Sequence, residues 1–75
     1  MSEYVLSNEE KISIIETHLR TLGYAKYNLQ VSLIEEQSVP SSQDSVSSVQ
    51  SQIAATNQKI GSLTDEIAAL REAAE

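Results

Sequence analysis

The side chains in this sequence that are capable of catalysis or metal binding include one histidine, eleven acids, three tyrosines and many serines. His18 is the only histidine and cysteine is absent, so one chain offers neither a histidine pair nor a thiolate for a metal. Paired acids such as Glu9 with Glu10, or Glu35 with Glu36, are neighbours in sequence and point about 100° apart on a helix. We therefore predict charged surface here and no catalytic or metal site.

The glycines, serines and aromatic residues also lack the spacing that known chemistry requires. The two glycines lie far apart, so no phosphate-binding loop is present, and no serine stands in an elbow motif. Tyr24 and Tyr27 have rings suited to base stacking, but Lys and Arg are not clustered around them. We predict a protein that is not an enzyme and has no cofactor. A metal held by His18 between two copies is the alternative.

Composition and net charge indicate which classes of binding partner the protein is not expected to have. The chain has 75 residues and a formal net charge of -6, which repels nucleic acids and anionic lipid surfaces. No apolar run approaches the roughly 20 residues needed to span a bilayer, and the first residues lack a secretion signal. We expect no nucleic-acid or membrane partner and a cytoplasmic location. A chain this short, without disulfides, commonly gains stability by association.

The second half of the chain carries a heptad pattern that predicts a long helix. Apolar residues recur in steps of three and four, with β-branched residues or Ala at every a position. This pattern indicates a helix that packs one side against another helix. We call its apolar residues and their counterparts in the first helix the hairpin seam. In the second helix they are Val46, Val49, Ile53, Thr56, Ile60, Leu63, Ile67, Leu70 and Ala74.

The first half has a matching pattern. Ser7 followed by Glu10 matches a capping box, so a helix should begin there. Gly23 leaves three alternatives: a continuous helix, which we favour, a break at the glycine, or a strand over residues 27–33 that alternates in polarity. The seam positions of the first helix are Ile12, Ile15, Leu19, Leu22, Lys26, Leu29 and Leu33.

The sole proline marks the turn between the helices. Pro40 disfavours helix at the residue before it, and Ser41 or Ser42 is the expected N-cap of the next helix, with Asp44 in its first turn. We predict one domain with an N-terminal arm at 1–6, helix 1 at 7–37, a turn at 38–42 and helix 2 at 43–74. A disordered linker through residue 51 is the alternative.

A short turn makes the two helices antiparallel. The predicted fold is therefore all-α, an antiparallel two-helix hairpin resembling a coiled coil. Folding about the turn brings Leu33 near Val46, and it brings Ile12 near Ile67. It also brings Arg71 beside the acids Glu9 and Glu10.

A second apolar stripe on helix 1, which we call the outer stripe, predicts that copies of the hairpin associate with one another. It comprises Tyr24, Tyr27, Val31 and Ile34, and it lies nearly opposite the hairpin seam. We predict a homo-oligomer, with a dimer favoured, through helix-to-helix contact or a four-helix bundle. Lys26, at a seam position, either packs its stem or sets register and partner by meeting an acid of another subunit.

Two alternatives to this assembly stay open. Helix 2 has the residue preferences of a parallel two-stranded coiled coil, which would place helix 1 outside. The outer stripe is also suited to docking an unknown host or viral protein, in which case the chain is a regulatory adaptor.

The segments from Lys26 to Leu29 and from Ser32 to Glu36, followed by an Ala-, Ser- and Gln-rich helix, carry a resemblance. They resemble small uncharacterised helical proteins of T4-like marine cyanophages. The resemblance implies a viral protein in the cytoplasm of a bacterial host, and it implies no activity, ligand or catalytic residue.

Overall fold

The computed structural model of the chain describes residues 5–40 and 42–73. Within these ranges there are two α-helices, α1 at Asn8–Gln37 and α2 at Gln43–Glu72, and no strand. Each helix has 30 residues, and the particle measures 59 × 25 × 16 Å. The helices pack against each other, which confirms the predicted all-α hairpin.

The start of α1 is fixed by the predicted capping box. The Ser7 backbone is extended, with φ -72° and ψ 164°, and its Oγ accepts a hydrogen bond of 3.1 Å from the Glu10 backbone N–H. The Ser7 backbone N–H in turn donates to Glu10 Oε1 at 2.8 Å. Two amides that the helix leaves without a partner are thereby satisfied. The preceding Val5 is exposed and Leu6 is half-buried, while the rest of the predicted arm lies outside the described residues.

The helix α1 passes through Gly23 without interruption. The favoured prediction of a continuous helix is therefore confirmed, and the alternatives of a break at Gly23 or a strand over residues 27–33 are wrong. Gly23 does not have a positive φ, so the backbone there does not need a glycine.

Gly61 in α2 also lacks a positive φ, so its backbone does not need a glycine, and a prediction about stability follows. A Cβ placed on Gly61 would meet no atom within 4 Å, and glycine inside a helix costs about 1 kcal/mol relative to alanine. We expect Gly61→Ala to raise the free energy of unfolding by about 1 kcal/mol, measured by urea titration of the far-ultraviolet dichroism at fixed protein concentration. A loss of stability would contradict the open environment of this glycine.

The turn differs from the prediction in how its serines act. Ser42 occupies the N-cap position of α2 but makes no side-chain capping bond. Its Oγ donates instead to the backbone carbonyls of Glu36 and Val39. Ser38 Oγ likewise donates to the Glu35 carbonyl at 2.6 Å. These hydroxyls therefore cap the end of α1 rather than the start of α2; Ser41 lies outside the described residues.

The helix α2 is regular from its first turn. It begins at Gln43 with Asp44 in the first turn, as predicted, so the linker proposed as an alternative is helical in the structure. The helix ends at Glu72, and Ala74 of the predicted seam lies outside the described residues.

Burial follows the hairpin seam. Ile67 is 7% exposed and Thr56 is 8% exposed, and these two are the buried residues among those that the structure describes. The Thr56 hydroxyl donates to the Gln52 carbonyl one turn earlier, at 2.9 Å, so it carries no unsatisfied group into the interface. Within the described ranges each helix packs against the other helix alone, so the remaining seam residues are covered from one side. The half-buried ones are Ile12, Ile15, Leu19, Leu22, Lys26, Leu29, Leu33, Val46, Val49, Ile53, Ile60, Leu63 and Leu70.

Polar contacts join the start of α1 to the end of α2, at the end of the hairpin opposite the turn. The Asn8 side-chain amide donates to the Leu70 backbone carbonyl at 3.1 Å, about one turn beyond the predicted neighbours Ile12 and Ile67. Arg71 forms an ion pair of 3.8 Å with Glu16. The prediction that Arg71 pairs with Glu9 or Glu10 is therefore wrong, because the acid that it meets lies about two turns further along α1. Both side chains of this pair are more than half exposed, so it is worth about 0.2 to 1 kcal/mol.

Candidate interaction surface

The outer stripe is an apolar feature of α1 that the hairpin leaves exposed. Tyr24, Tyr27 and Ile34 are 71%, 67% and 68% exposed, and Val31 is 36% exposed. These residues follow one another at intervals of three and four, so they share one side of the helix. The structure brings all four together on a continuous surface, as the sequence predicted from their spacing.

The position of the outer stripe explains why it is uncovered. At about 100° per residue, Tyr27 and Val31 lie well over 90° around α1 from seam residues such as Leu22 and Leu33. The second helix lies against the seam, and the described part of the chain contains no third helix or strand for the opposite side. The exposure of the outer stripe is therefore a direct consequence of the hairpin fold.

A shallow depression opens at one end of the outer stripe. It is lined by Arg20, Gly23, Tyr24 and Tyr27, which are related as positions i, i+3, i+4 and i+7. Four residues in this relation form the hole that receives one side chain in helix packing by knobs into holes. A Cβ added to Gly23 would meet nothing within 4 Å, so the glycine leaves this hole open.

The charges beside the outer stripe are unequally distributed along α1. Arg20 lies at the depression, and Glu35 lies at the other end of the stripe. Within the part of the chain that the structure describes, the ion pair within 4.0 Å joins Arg71 to Glu16, and neither Arg20 nor Glu35 takes part in one. The last turn of α1 contains no basic residue, although a cation is the favourable charge at a helix C-terminus.

Lys26 lies apart from this surface. It is half-buried and lies about 100° around the helix from Tyr27, at the seam position assigned to it. The structure therefore places Lys26 in the hairpin interface and not with the other four residues of the predicted oligomer interface.

The residues capable of chemistry are not brought together. His18 is exposed and lies about 180° around α1 from Tyr27, beside a groove that it shares with Lys59, Thr17 and Thr21. Among the described residues, no three of the His, Asp and Glu side chains are grouped closely enough to hold a metal ion.

Sequence analysis missed the depression. The outer stripe is predicted from apolar spacing alone, whereas Arg20 is charged and the prediction at Gly23 concerns only whether the helix continues. The signal was nevertheless present, because the two residues precede Tyr24 and Tyr27 at helical spacing. Gly23 is exposed, and the helix backbone does not need a glycine there. That combination is the signal that points to the depression.

Over residues 5–40 and 42–73, these features define an α-helical hairpin with an apolar surface that its two helices do not cover. No family model, curated protein or solved structure matches the chain. The cyanophage resemblance and the cytoplasmic location accordingly stay predictions from the sequence. In the described ranges, neither helix is long and apolar enough to cross a lipid bilayer.

Proposed function

We propose that this protein is a non-enzymatic interaction module, a helical hairpin that self-associates through the outer stripe. The observation that carries the proposal is the exposure of Tyr24, Tyr27 and Ile34, each about two-thirds or more exposed on one side of α1. Contiguous apolar surface of this kind is typical of protein interaction sites. Tyrosine is also enriched at such sites, because its ring buries a large area while its hydroxyl stays solvated.

The size of the outer stripe sets the expected strength of association. Tyr24 and Tyr27 are 71% and 67% exposed, so the four tyrosines of two copies would together bury roughly 400 to 700 Å². Stable interfaces bury about 1,200 to 2,000 Å². Val31 and Ile34 are 36% and 68% exposed and add less area than the tyrosines, so the interface stays below that range, where weak and transient associations lie. We therefore expect a dimer with a dissociation constant in the micromolar range.

Self-association is supported over docking of another protein by the marginal core of the single chain. Ile67 and Thr56 are the buried residues in the described ranges, and small domains without disulfides depend on added burial for stability. A second copy supplies that burial wherever the protein is present, without any other molecule. The regulatory adaptor is the second reading of the same surface, and the oligomeric state distinguishes the two.

Sedimentation equilibrium tests the proposal directly. The purified chain is measured from about 1 µM to about 1 mM, a range that brackets a micromolar dissociation constant. The expected mass rises from 8.2 kDa for the monomer to twice that value as the concentration increases. A mass that stays at the monomer value throughout would reject self-association and leave the outer stripe as a docking surface for another protein.

A further inference from the structure

We infer that the second copy docks antiparallel on the outer stripe, with its Ile34 inserted between Arg20, Gly23, Tyr24 and Tyr27. By two-fold symmetry the first copy's Ile34 enters the same depression on the second. This inference rests on the proposed self-association and adds to it the orientation, the register and the residues in contact.

The shape of the surface supports this arrangement. The depression is the hole of a knobs-into-holes contact, and Gly23 contributes no side chain to fill it. Ile34 is the exposed apolar side chain at the far end of the outer stripe, 68% exposed. When α1 helices run antiparallel and Ile34 enters the depression, Tyr27 of each copy lies opposite Val31 of the other. All four residues of the outer stripe are then covered.

The charges support the same orientation. In this register Arg20 of one copy lies beside Glu35 of the second copy and close to the C-terminal end of that copy's α1. The last turn there contains no basic residue of its own, and a cation near a helix C-terminus is stabilising. Each Arg20 would therefore meet both a carboxylate and the negative end of a helix dipole, twice in the dimer.

A parallel arrangement lacks these contacts. It would place Arg20 beside Arg20 and Glu35 beside Glu35 of the other copy, and like charges in opposition disfavour a complex. It would also present Tyr24 of the partner to the depression in place of Ile34. The charges therefore select the antiparallel orientation, in which Ile34 is the side chain that the depression receives.

Filling the depression tests the shape argument with a matched control. Gly23→Leu would occupy the hole, whereas Gly61→Leu places the same side chain at the other open helical glycine. Leucine is a better helix former than glycine, so both variants should fold. We expect sedimentation equilibrium to show dimerisation at least tenfold weaker for Gly23→Leu and unchanged for Gly61→Leu. Equal dimerisation by the two variants would overturn the assigned contact.

Charge reversal tests the orientation in the same assay. Arg20→Glu and Glu35→Arg are each expected to weaken dimerisation several-fold, and the double variant is expected to recover most of the loss. The Glu35→Arg variant should at the same time gain hairpin stability, since it places a cation at the end of α1. A merely structural role of Glu35 would give the gain in stability without any loss of dimer.

Cysteine cross-linking separates failure of this inference from failure of the proposed function. The chain has no cysteine, so two single variants, Gly23→Cys and Ile34→Cys, are mixed and oxidised under conditions where the wild type is dimeric. We expect mixed disulfides between position 23 and position 34, at yields well above those of either variant alone. A dominant 34-to-34 disulfide would overturn the antiparallel register while leaving self-association intact. A wild-type chain that is monomeric would reject the proposed function itself.

Discussion

Replacing Ile67 with alanine is expected to lower the free energy of unfolding by about 2 to 4 kcal/mol, because truncating a buried isoleucine loses burial and leaves a cavity. Ile67 is the most buried apolar residue among those described, at 7% exposed. Domains have about 0.05 to 0.15 kcal/mol of stability per residue, so the loss removes a large part of what a chain of 75 residues can have. The variant should unfold at a clearly lower urea concentration than the wild type.

The control for this prediction is Ile14→Ala, which makes the same chemical change at an exposed position of α1. Ile14 is 48% exposed, and surface substitutions of this kind usually change stability by no more than about 0.5 kcal/mol. Both variants are unfolded in urea at one fixed protein concentration, with dichroism as the readout. Equal losses for Ile14 and Ile67 would show that the seam is not the core of the hairpin.

Replacing Tyr24 and Tyr27 together with serine is expected to weaken self-association at least about a hundredfold, or about 2.7 kcal/mol. Each substitution removes an aromatic side chain twice from a two-fold dimer, and central tyrosines commonly dominate the energy of an interface. The hairpin itself should lose little stability, because the two rings are 71% and 67% exposed and serine and tyrosine have similar helix propensities.

A matched double variant controls for the loss of exposed apolar side chains in general. Ile14 and Val39 are 48% and 50% exposed and lie outside the outer stripe, so Ile14→Ser with Val39→Ser should leave the dimer unchanged. Sedimentation equilibrium gives the dissociation constants, and dichroism verifies the helical content of each variant. Equal weakening by the two pairs would show that association is a general effect of apolar surface and not a property of the outer stripe.

The hairpin was predictable because its signals are local and agree with one another. The heptad seam assigns one side of each helix, and Pro40 marks the turn. Ser7 with Glu10 defines the first cap from two residues three positions apart. Each of these depends on spacing along the chain, and the all-α hairpin follows from their combination.

The details that were not predictable depend on contacts between segments. Ser42 has the sequence of an N-cap, but the turn brings the carbonyls of Glu36, in the last turn of α1, and of Val39 within reach of its hydroxyl. Helix propensity, which depends on neighbouring residues, carries no information about those distances. Arg71 is long and exposed, so the register of the helices allowed several acids as its partner. The depression at Gly23 was overlooked because helix propensity treats glycine as a cost and says nothing about the shape it leaves.

The most direct test of the account is an isotope-filtered nuclear Overhauser experiment on a mixture of labelled and unlabelled chains at millimolar concentration. We predict intermolecular contacts between the ring protons of Tyr27 and the methyl groups of Val31 and Ile34. Intermolecular contacts among the seam residues of α2, such as Ile53 and Ile60, with none from Tyr27, would contradict self-association through the outer stripe.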